Sequence, residues 1–575
     1  SGRSQSILIN GESGAGKTEA AKHVMQFLAA AGTRHAVANQ AAGVVPALKE
    51  AIVQSNPVLE AFGNARTGTN CNSSRFGKFV KLQYNDDGLV GAETYQFLLE
   101  TSRLVTRPSN ERNFHILYQI CAGLASEPKL AHLDVRESAY FDLLRNQAEA
   151  NAVEDRDSFE KTVAAMQAVG IADEEIDAMW GVLAGLLHLG NVRFCPSSDN
   201  AEHAEIDLAH EASTRGLERA IELLGIERAS LMKALVTRTI GGKESVITIP
   251  VTIEEAVHSR NALAKVVYSR LFDWVVERIN SRTRSANAGQ GGAFIGILDI
   301  FGFEVLAHNS FEQLCVNYAN EVLQRVFNTH VAAQEVARYE AEGLSCEALA
   351  LADNDALLAL LDGPRTGILA LLEDQGVLGP RASDASFVKQ VVAAHAEHPH
   401  LLPDRFGRPR FVVEHFAGPV EYDAREFVRK NNDALQGDLS DLVTAKAVGN
   451  AFLHEKLFPR GAEDASFRVE ASGASARGAA MSRQRTSRKL ASLHAVSGRF
   501  RGEMLDLVKV LGGTDVRFIR CVKPNDQQAR GAWHGLRVAA QLRHLGVMEA
   551  VRIRQEGFPV QRSFAGLLSE FAALG

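Results

Sequence analysis

The chain has 575 residues, more than one hydrophobic core usually holds, so several subdomains are expected. Hydrophobic residues make up 46% and charged residues 23%, the balance of a soluble globular protein, and a net charge of -7 argues against nucleic acid as the main partner while leaving room for a local basic contact. Cys71, Cys121, Cys195, Cys315, Cys346 and Cys521 are scattered with no CxxC pair, which excludes a disulfide framework or zinc site and fits a reducing cytosol. No apolar run is long enough to span a bilayer, and SGRSQSILIN does not read as a signal peptide. It leads straight into a buried-type strand, so the chain is expected to begin inside a domain.

Residues 6–10 read as that strand. A glycine-rich loop follows, then a helical pattern through Val24, Phe27 and Leu28, the order of an α/β nucleotide-binding unit. Residues 79–84, 293–300 and 518–522 are further strand candidates. Helical periodicity fills most of the rest, so the spacing predicts a helix-rich α/β fold around a central mixed, twisted sheet, with no internal repeat. The longest helix should start after Ser310, which pairs with Gln313 as a capping box. Phe311, Leu314, Tyr318, Val322 and Val326 follow on one face, and Gly343 is the expected stop. Such a helix would reach about 48 Å, long enough to carry a displacement across a domain, although a plain core helix has the same pattern. Residues 461–489 lack apolar periodicity and are rich in Gly, Ala and Ser. Their end carries Arg477, Arg483, Arg485, Arg488 and Lys489 without an acid, which reads as a surface loop with a basic end or, more plainly, a solvated linker.

Gly11-Glu12-Ser13-Gly14-Ala15-Gly16-Lys17-Thr18 fits the phosphate-binding pattern G-x-x-x-x-G-K-[ST]. Its glycines let backbone N–H groups turn inward around phosphate oxygens, and the helix beginning near Lys17 points its positive end at the same anion. Lys17 supplies charge to the outer phosphates, and the Thr18 hydroxyl can ligate Mg²⁺. Two further clusters narrow the chemistry to nucleotide hydrolysis. Residues 70–78 (NCNSSRFGK) gather hydroxyls, amides and a guanidinium. Residues 299–304 (DIFGFE) follow a strand and put Asp299 where a Mg²⁺-water carboxylate is expected, with Gly302 able to offer its N–H to the γ-phosphate and Glu304 able to pair with an arginine. Alone, the first could be a polar loop and the second a strand end; together with the phosphate loop they point to one site.

GESGAGKTE, NCNSSRFGKF and DIFGFE resemble the P-loop, switch I and switch II of myosin motor heads. Residues 56–65, 111–115, 187–191, 415–418, 430–433, 518–525 and 541–554 are family-like in the same order, without pointing to a myosin class. The resemblance implies a P-loop NTPase fold of the myosin-head kind and Mg-ATP as ligand, with Thr18 and Ser74 on Mg²⁺ and Asp299 reaching it through water. Gly11, Glu12, Ser13, Gly14, Ala15, Gly16, Lys17, Thr18, Asn70 and Asn72 would bind nucleotide. Ser73, Arg75, Gly302 and Glu304 would be catalytic: Arg75 and Glu304 bridge to close the site, and Ser73 relays a proton. It divides the chain into 1–40 (P-loop part of the core), 41–298 (upper cleft subdomain with switch I), 299–460 (lower cleft subdomain with switch II and the relay helix), 461–489 (actin-contact loop), 490–556 (end of the lower subdomain, last core strand and linking helices) and 557–575 (start of a converter).

By the same resemblance the partner is filamentous actin, contacted through Arg483, Arg485, Arg488 and Lys489. Light chains or calmodulin are expected only on a lever arm beyond this chain. Neither nucleic acid nor a transmembrane segment is expected, and the location is cytoplasmic, on the actin cytoskeleton. Ser245, sixteen residues before Asn261, falls where the family places an acid or a phosphorylatable hydroxyl, and is a candidate phosphoswitch beside Glu244. Asn261 replaces the usual Asp of an RDALAK stretch, Cys71 an acid of switch I, and Cys346 a relay-loop tryptophan. The expected function is an actin-activated Mg-ATPase motor; the alternative is an actin tether with slow turnover. A kinesin-type motor shares the Ser-Ser-Arg switch but would differ at 299–304 and lacks 518–525.

Overall fold

The structure, a computed structural model, describes residues 2–38, 44–68, 70–86, 88–124, 127–145, 152–242, 245–285, 292–343, 354–378, 381–432, 435, 437–444, 450–459, 495–527, 529–548, 551, 555 and 562–572. These fall into two compact units. One comprises Ser1–Lys17, Leu298–Asn432 and Arg468–Gly575; the other comprises Thr18–Ile297 and Asp433–Phe467.

In the first unit the strand Gln5–Gly11 buries Ser6 and then Leu8, Ile9, Asn10 and Gly11 in succession, the signature of a strand covered on both faces. It runs parallel to Asp515–Cys521 with Gly11 opposite Cys521. That second strand starts three residues earlier than periodicity predicts, because the parallel ladder reaches back to Gln5↔Asp515 through Asp515 and Arg517, whose charges flank the buried Val516 and break the apolar run. The long helix spans Phe311–Ala341, 31 residues and about 46 Å. Gly343 ends it in the left-handed region at φ 70°. At its start the Gln313 side chain accepts from the Ser310 N–H at 3.0 Å, the expected half of a capping box. The Ser310 hydroxyl accepts from Lys430 Nζ at 2.9 Å, and the same ammonium reaches Glu312 at 2.8 Å.

A buried polar knot fastens this helix to the antiparallel hairpin Arg410–His415/Gly418–Asp423. His415 Nδ1 lies 3.0 Å from Glu321 Oε1 and its Nε2 lies 2.9 Å from the Tyr422 hydroxyl. The Phe416 N–H and the Asn354 amide occupy other lone pairs of the Glu321 carboxylate, so this buried acid is hydrogen-bonded on both oxygens.

The second unit has a large core. Phe62, Phe76, Phe114, Trp180, Tyr268 and Phe272 sit in one apolar cluster built on the helices Val44–Gly63, His115–Leu124, Asp173–Gly190 and Ile253–Thr283. Phe114 stacks on Tyr268 at 4.9 Å, and the Phe76 edge meets Phe272 at 5.0 Å. Leu439, Val443, Leu453 and Leu457 join the same cluster, returning a late chain segment to the unit. The strands Gly77–Asn85 and Gly88–Phe97 pair antiparallel, and Tyr84 donates to the Ala293 carbonyl at 2.9 Å, just before the strand Phe294–Asp299. Among the described residues no helix is long and apolar enough to cross a membrane.

Candidate active site

The phosphate loop leaves the strand at Gly11. Gly14 and Gly16 adopt φ 77° and 89°, values that side chains resist, so the turn needs glycine at both positions. Ala15 N–H closes it on the Glu12 carbonyl at 3.1 Å. Lys17 Nζ donates to that same carbonyl at 2.9 Å, folding the ammonium back over the loop. Burial pulls the Lys17 pKa below its ordinary value, against the carboxylates of Asp299 and Glu304, which pull it up.

Asp299 ends its strand as a buried acid. Three residues on, Gly302 lies so close to the phosphate loop that a Cβ there would stand 1.9 Å from the Gly11 carbonyl oxygen and 3.2 Å from Glu12 Cα. The long helix grips this stretch from one face, through residues three and four apart. Asn320 donates to the Phe301 carbonyl at 3.2 Å. Asn317 clamps the Glu304 backbone, accepting from its N–H and donating to its carbonyl, both at 2.9 Å. Gln313 donates to the Glu304 carboxylate at 3.2 Å. Any shift of residues 301–304 is therefore felt directly by the first three turns of the helix.

In the other unit a two-residue ladder, Asn64–Ala65 against Ser73–Ser74, sends successive serines to opposite sides. Ser74 Oγ lies 3.4 Å from Thr18 Oγ1. Ser73 is buried and accepts from Arg75 Nη1 at 3.2 Å. Arg75 Nε donates to Glu100 Oε2 at 2.6 Å. The same oxygen accepts from Arg103 Nε at 2.8 Å; Arg103 also pairs with Glu111 at 2.8 Å, and Glu111 accepts from the Gly68 N–H at 3.4 Å. Burial alone would raise the Glu100 pKa, but Arg103 and Arg75 outweigh it and bring the carboxyl down to about 2.

Asn70 and Asn72 are tied to each other. Asn70 Oδ1 accepts from the Asn72 N–H at 3.1 Å, and its Nδ2 donates to the Asn72 carbonyl at 3.3 Å. The Asn72 amide donates to Glu60 at 3.1 Å and accepts from Asn64 at 2.9 Å. Cys71, between them, is exposed.

The structure thus assembles the sequence-predicted residues in two groups, one within each unit. Gly11–Lys17, Asp299, Gly302 and Glu304 form the first; Thr18, Asn70, Asn72, Ser73, Ser74 and Arg75 form the second. The Glu12 side chain is occupied by Arg537, whose Nη1 lies 3.2 Å from Oε1 and whose Nη2 bonds Oε2. Sequence reasoning missed Glu100, Arg103, Asn317 and Arg537, none of which stands in a motif that marks it. Ser245 begins the strand Ser245–Pro250, opposite Gly242. Arg483, Arg485, Arg488, Lys489 and Cys346 lie outside the described residues. Among the described residues no group of three or more His, Cys, Asp or Glu is placed to hold a metal ion.

A family model for the "Myosin head (motor domain)" matches residues 1–575. The chain is similar to unconventional myosin-XV of Homo sapiens, 37% identical over 574 residues that take in all of this chain and 15% of that protein. Myosin-17 of Arabidopsis thaliana is 36% identical over 588 residues, again covering all of this chain and 35% of that protein. Protein OPAQUE1 of Zea mays is 36% identical over 576 residues and 35% of its length. The chain therefore spans about one third or less of these relatives. Its P-loop fold, with parallel and antiparallel strands among many helices, is the one the sequence led us to expect. The chain belongs to the myosin head (motor domain) family.

Proposed function

We propose that this chain hydrolyses Mg-ATP and couples the cycle to binding and release of filamentous actin, as the head of a cytoskeletal motor. The contact of Gly302 with the Gly11 carbonyl carries the reading, because it holds the backbone after Asp299 against the loop that would grip phosphate. A glycine turn of this kind and the N-terminal end of the following helix favour an anion there. Lys17 would exchange the Glu12 carbonyl for phosphate oxygens, gaining the charge partner that its buried ammonium favours. The Gly302 N–H and the Asn70 amide are placed in our reading on the outer phosphate.

Thr18 and Ser74 would hold Mg²⁺, with Asp299 reaching it through water. Their hydroxyls are 3.4 Å apart. Adjacent ligands of an octahedral ion with bonds of about 2.1 Å stand about 3.0 Å apart, so the pair fits after a small contraction. A site of hydroxyls with a single acid also suits an ion that keeps waters and takes its other ligands from phosphate. When bound, Mg²⁺ neutralises charge on the phosphate oxygens.

The expected Arg75–Glu304 bridge would act as a two-state latch. Ser73, already bonded to Arg75, is suited to pass a proton from the attacking water. No strong base is required where positioning and charge neutralisation lower the barrier. Closure would pass through Asn320, Asn317 and Gln313 into the helix Phe311–Ala341 as the relay. Arg483, Arg485, Arg488 and Lys489 would meet the acidic filament, an attraction that weakens with salt. Ser245 would tune it by phosphorylation. Light chains or calmodulin would bind a lever arm beyond this chain, and the motor would work in the cytoplasm on actin filaments.

Phosphate release from ATP, with and without Mg²⁺ and filamentous actin, tests the reading. We expect turnover that needs Mg²⁺, rises with actin and is lost in Lys17→Ala. Release that is indifferent to Mg²⁺ or to Lys17→Ala would refute the site.

A further inference from the structure

Glu12 is the one acid in the octapeptide of residues 11–18, a loop otherwise suited to anions. Its side chain is 16% exposed and receives both terminal nitrogens of Arg537, one on each oxygen. His544 Nδ1 stands 3.6 Å from Oε1. Arg537 and His544 lie seven positions apart on the helix Gly535–His544, two turns along one face. That helix is fastened without Glu12. The buried Gln541 accepts from the Lys523 N–H at 2.8 Å and donates to the Lys523 carbonyl at 2.7 Å, two residues past the strand that pairs with Gly11. Arg537 Nε is also shared with Asp526 at 3.1 Å. Burial would raise the Glu12 pKa, but His544 and Arg537 outweigh it and hold the carboxyl below its ordinary value. Glu12 is thus an anion inside the phosphate loop, and its compensation comes from a helix more than 500 positions away in sequence.

We propose that Arg537, assisted by His544, is the counter-charge of the phosphate loop and sets its affinity for a nucleoside triphosphate. The inference rests on the nucleotide reading above. With the guanidinium in place the loop presents Lys17 and its N–H groups to the phosphates. Without it an uncompensated carboxylate shares the loop with the bound anion, and like charges at short range in a partly buried site oppose binding. Arg537 touches no phosphate in this account; it is a positioning residue that acts through Glu12.

The test compares Arg537 variants of the 575-residue chain with and without Glu12→Gln, titrated with a fluorescent N-methylanthraniloyl ATP in Mg²⁺, with thermal melting alongside. Arg537→Gln should weaken binding about tenfold, and Arg537→Lys, which keeps the charge but loses the two-point contact, should lose clearly less than that. Adding Glu12→Gln to Arg537→Gln should recover most of the loss, since no charge then needs neutralising. If the pair were only a clamp, the double variant would bind as weakly as Arg537→Gln. That outcome overturns the proposal, as does parental affinity in Arg537→Gln. Both variants lack the clamp, so the comparison decides even if each melts below the parent. A parent chain that does not bind the analogue overturns the nucleotide reading itself, and this inference with it.

Discussion

Replacing Gly302 with alanine would put a Cβ 1.9 Å from the Gly11 carbonyl oxygen, 2.7 Å from its carbon and 3.2 Å from Glu12 Cα. All three are backbone atoms, so no side chain can swing aside. Ordinary contact begins at 3.4 Å, so the gap must open from 1.9 Å by about 1.5 Å. Residues 301–304 cannot simply retreat, because Asn320, Asn317 and Gln313 hold them. The strain is thus shared between the phosphate loop and the start of the long helix, at a stability cost of about 1–3 kcal/mol. A misplacement of about 1 Å at a reacting centre can cost roughly 100-fold in rate. Gly302→Ala should therefore lower hydrolysis at least about 100-fold in a quenched-flow single turnover, while a fluorescent ATP analogue still binds. Hydrolysis at the parental rate with an unchanged melting temperature would refute the steric argument.

Three other perturbations test the account. Arg75→Glu and Glu304→Arg should each block phosphate release, and the double swap should restore part of it; equal inactivity of all three would count against the bridge. Glu100 contributes stability because its folded pKa lies below the ordinary 4.5, at about 2. That contribution is fully present above about pH 4.5, is lost as pH falls through the folded value, and amounts to about 3 kcal/mol at 1.36 kcal/mol per unit. Urea unfolding should show Glu100→Gln destabilised by about this much at pH 7 and by less at pH 3.5; a difference independent of pH would contradict the assignment. Ser245→Glu should change actin-activated phosphate release relative to Ser245→Ala, and equal rates would end the phosphoswitch idea.

Local geometry explains what the sequence made legible. The phosphate loop is read from its own residues because its shape depends on glycines at Gly14 and Gly16 between a strand and a helix. The long helix announces its stop through Gly343 and half of its start through Gln313. Partners distant in the chain leave no such mark. Glu100 stands in an unremarkable stretch, yet it holds Arg75 from 25 positions away. Asn317 reads as one more polar residue of the helix until its amide is seen against the Glu304 backbone. The Lys430 bond to Ser310 spans 120 positions, and it gives the expected cap hydroxyl a different partner. Such pairings arise from the folded topology, and only the tertiary structure displays them.

Co-sedimentation of the chain with filamentous actin, with and without Mg-ATP, tests the central claim most directly. The account predicts pelleting in the absence of nucleotide and release into the supernatant when Mg-ATP is added, with the release abolished in Lys17→Ala. Pelleting that ignores Mg-ATP, or no pelleting in either state, would contradict it.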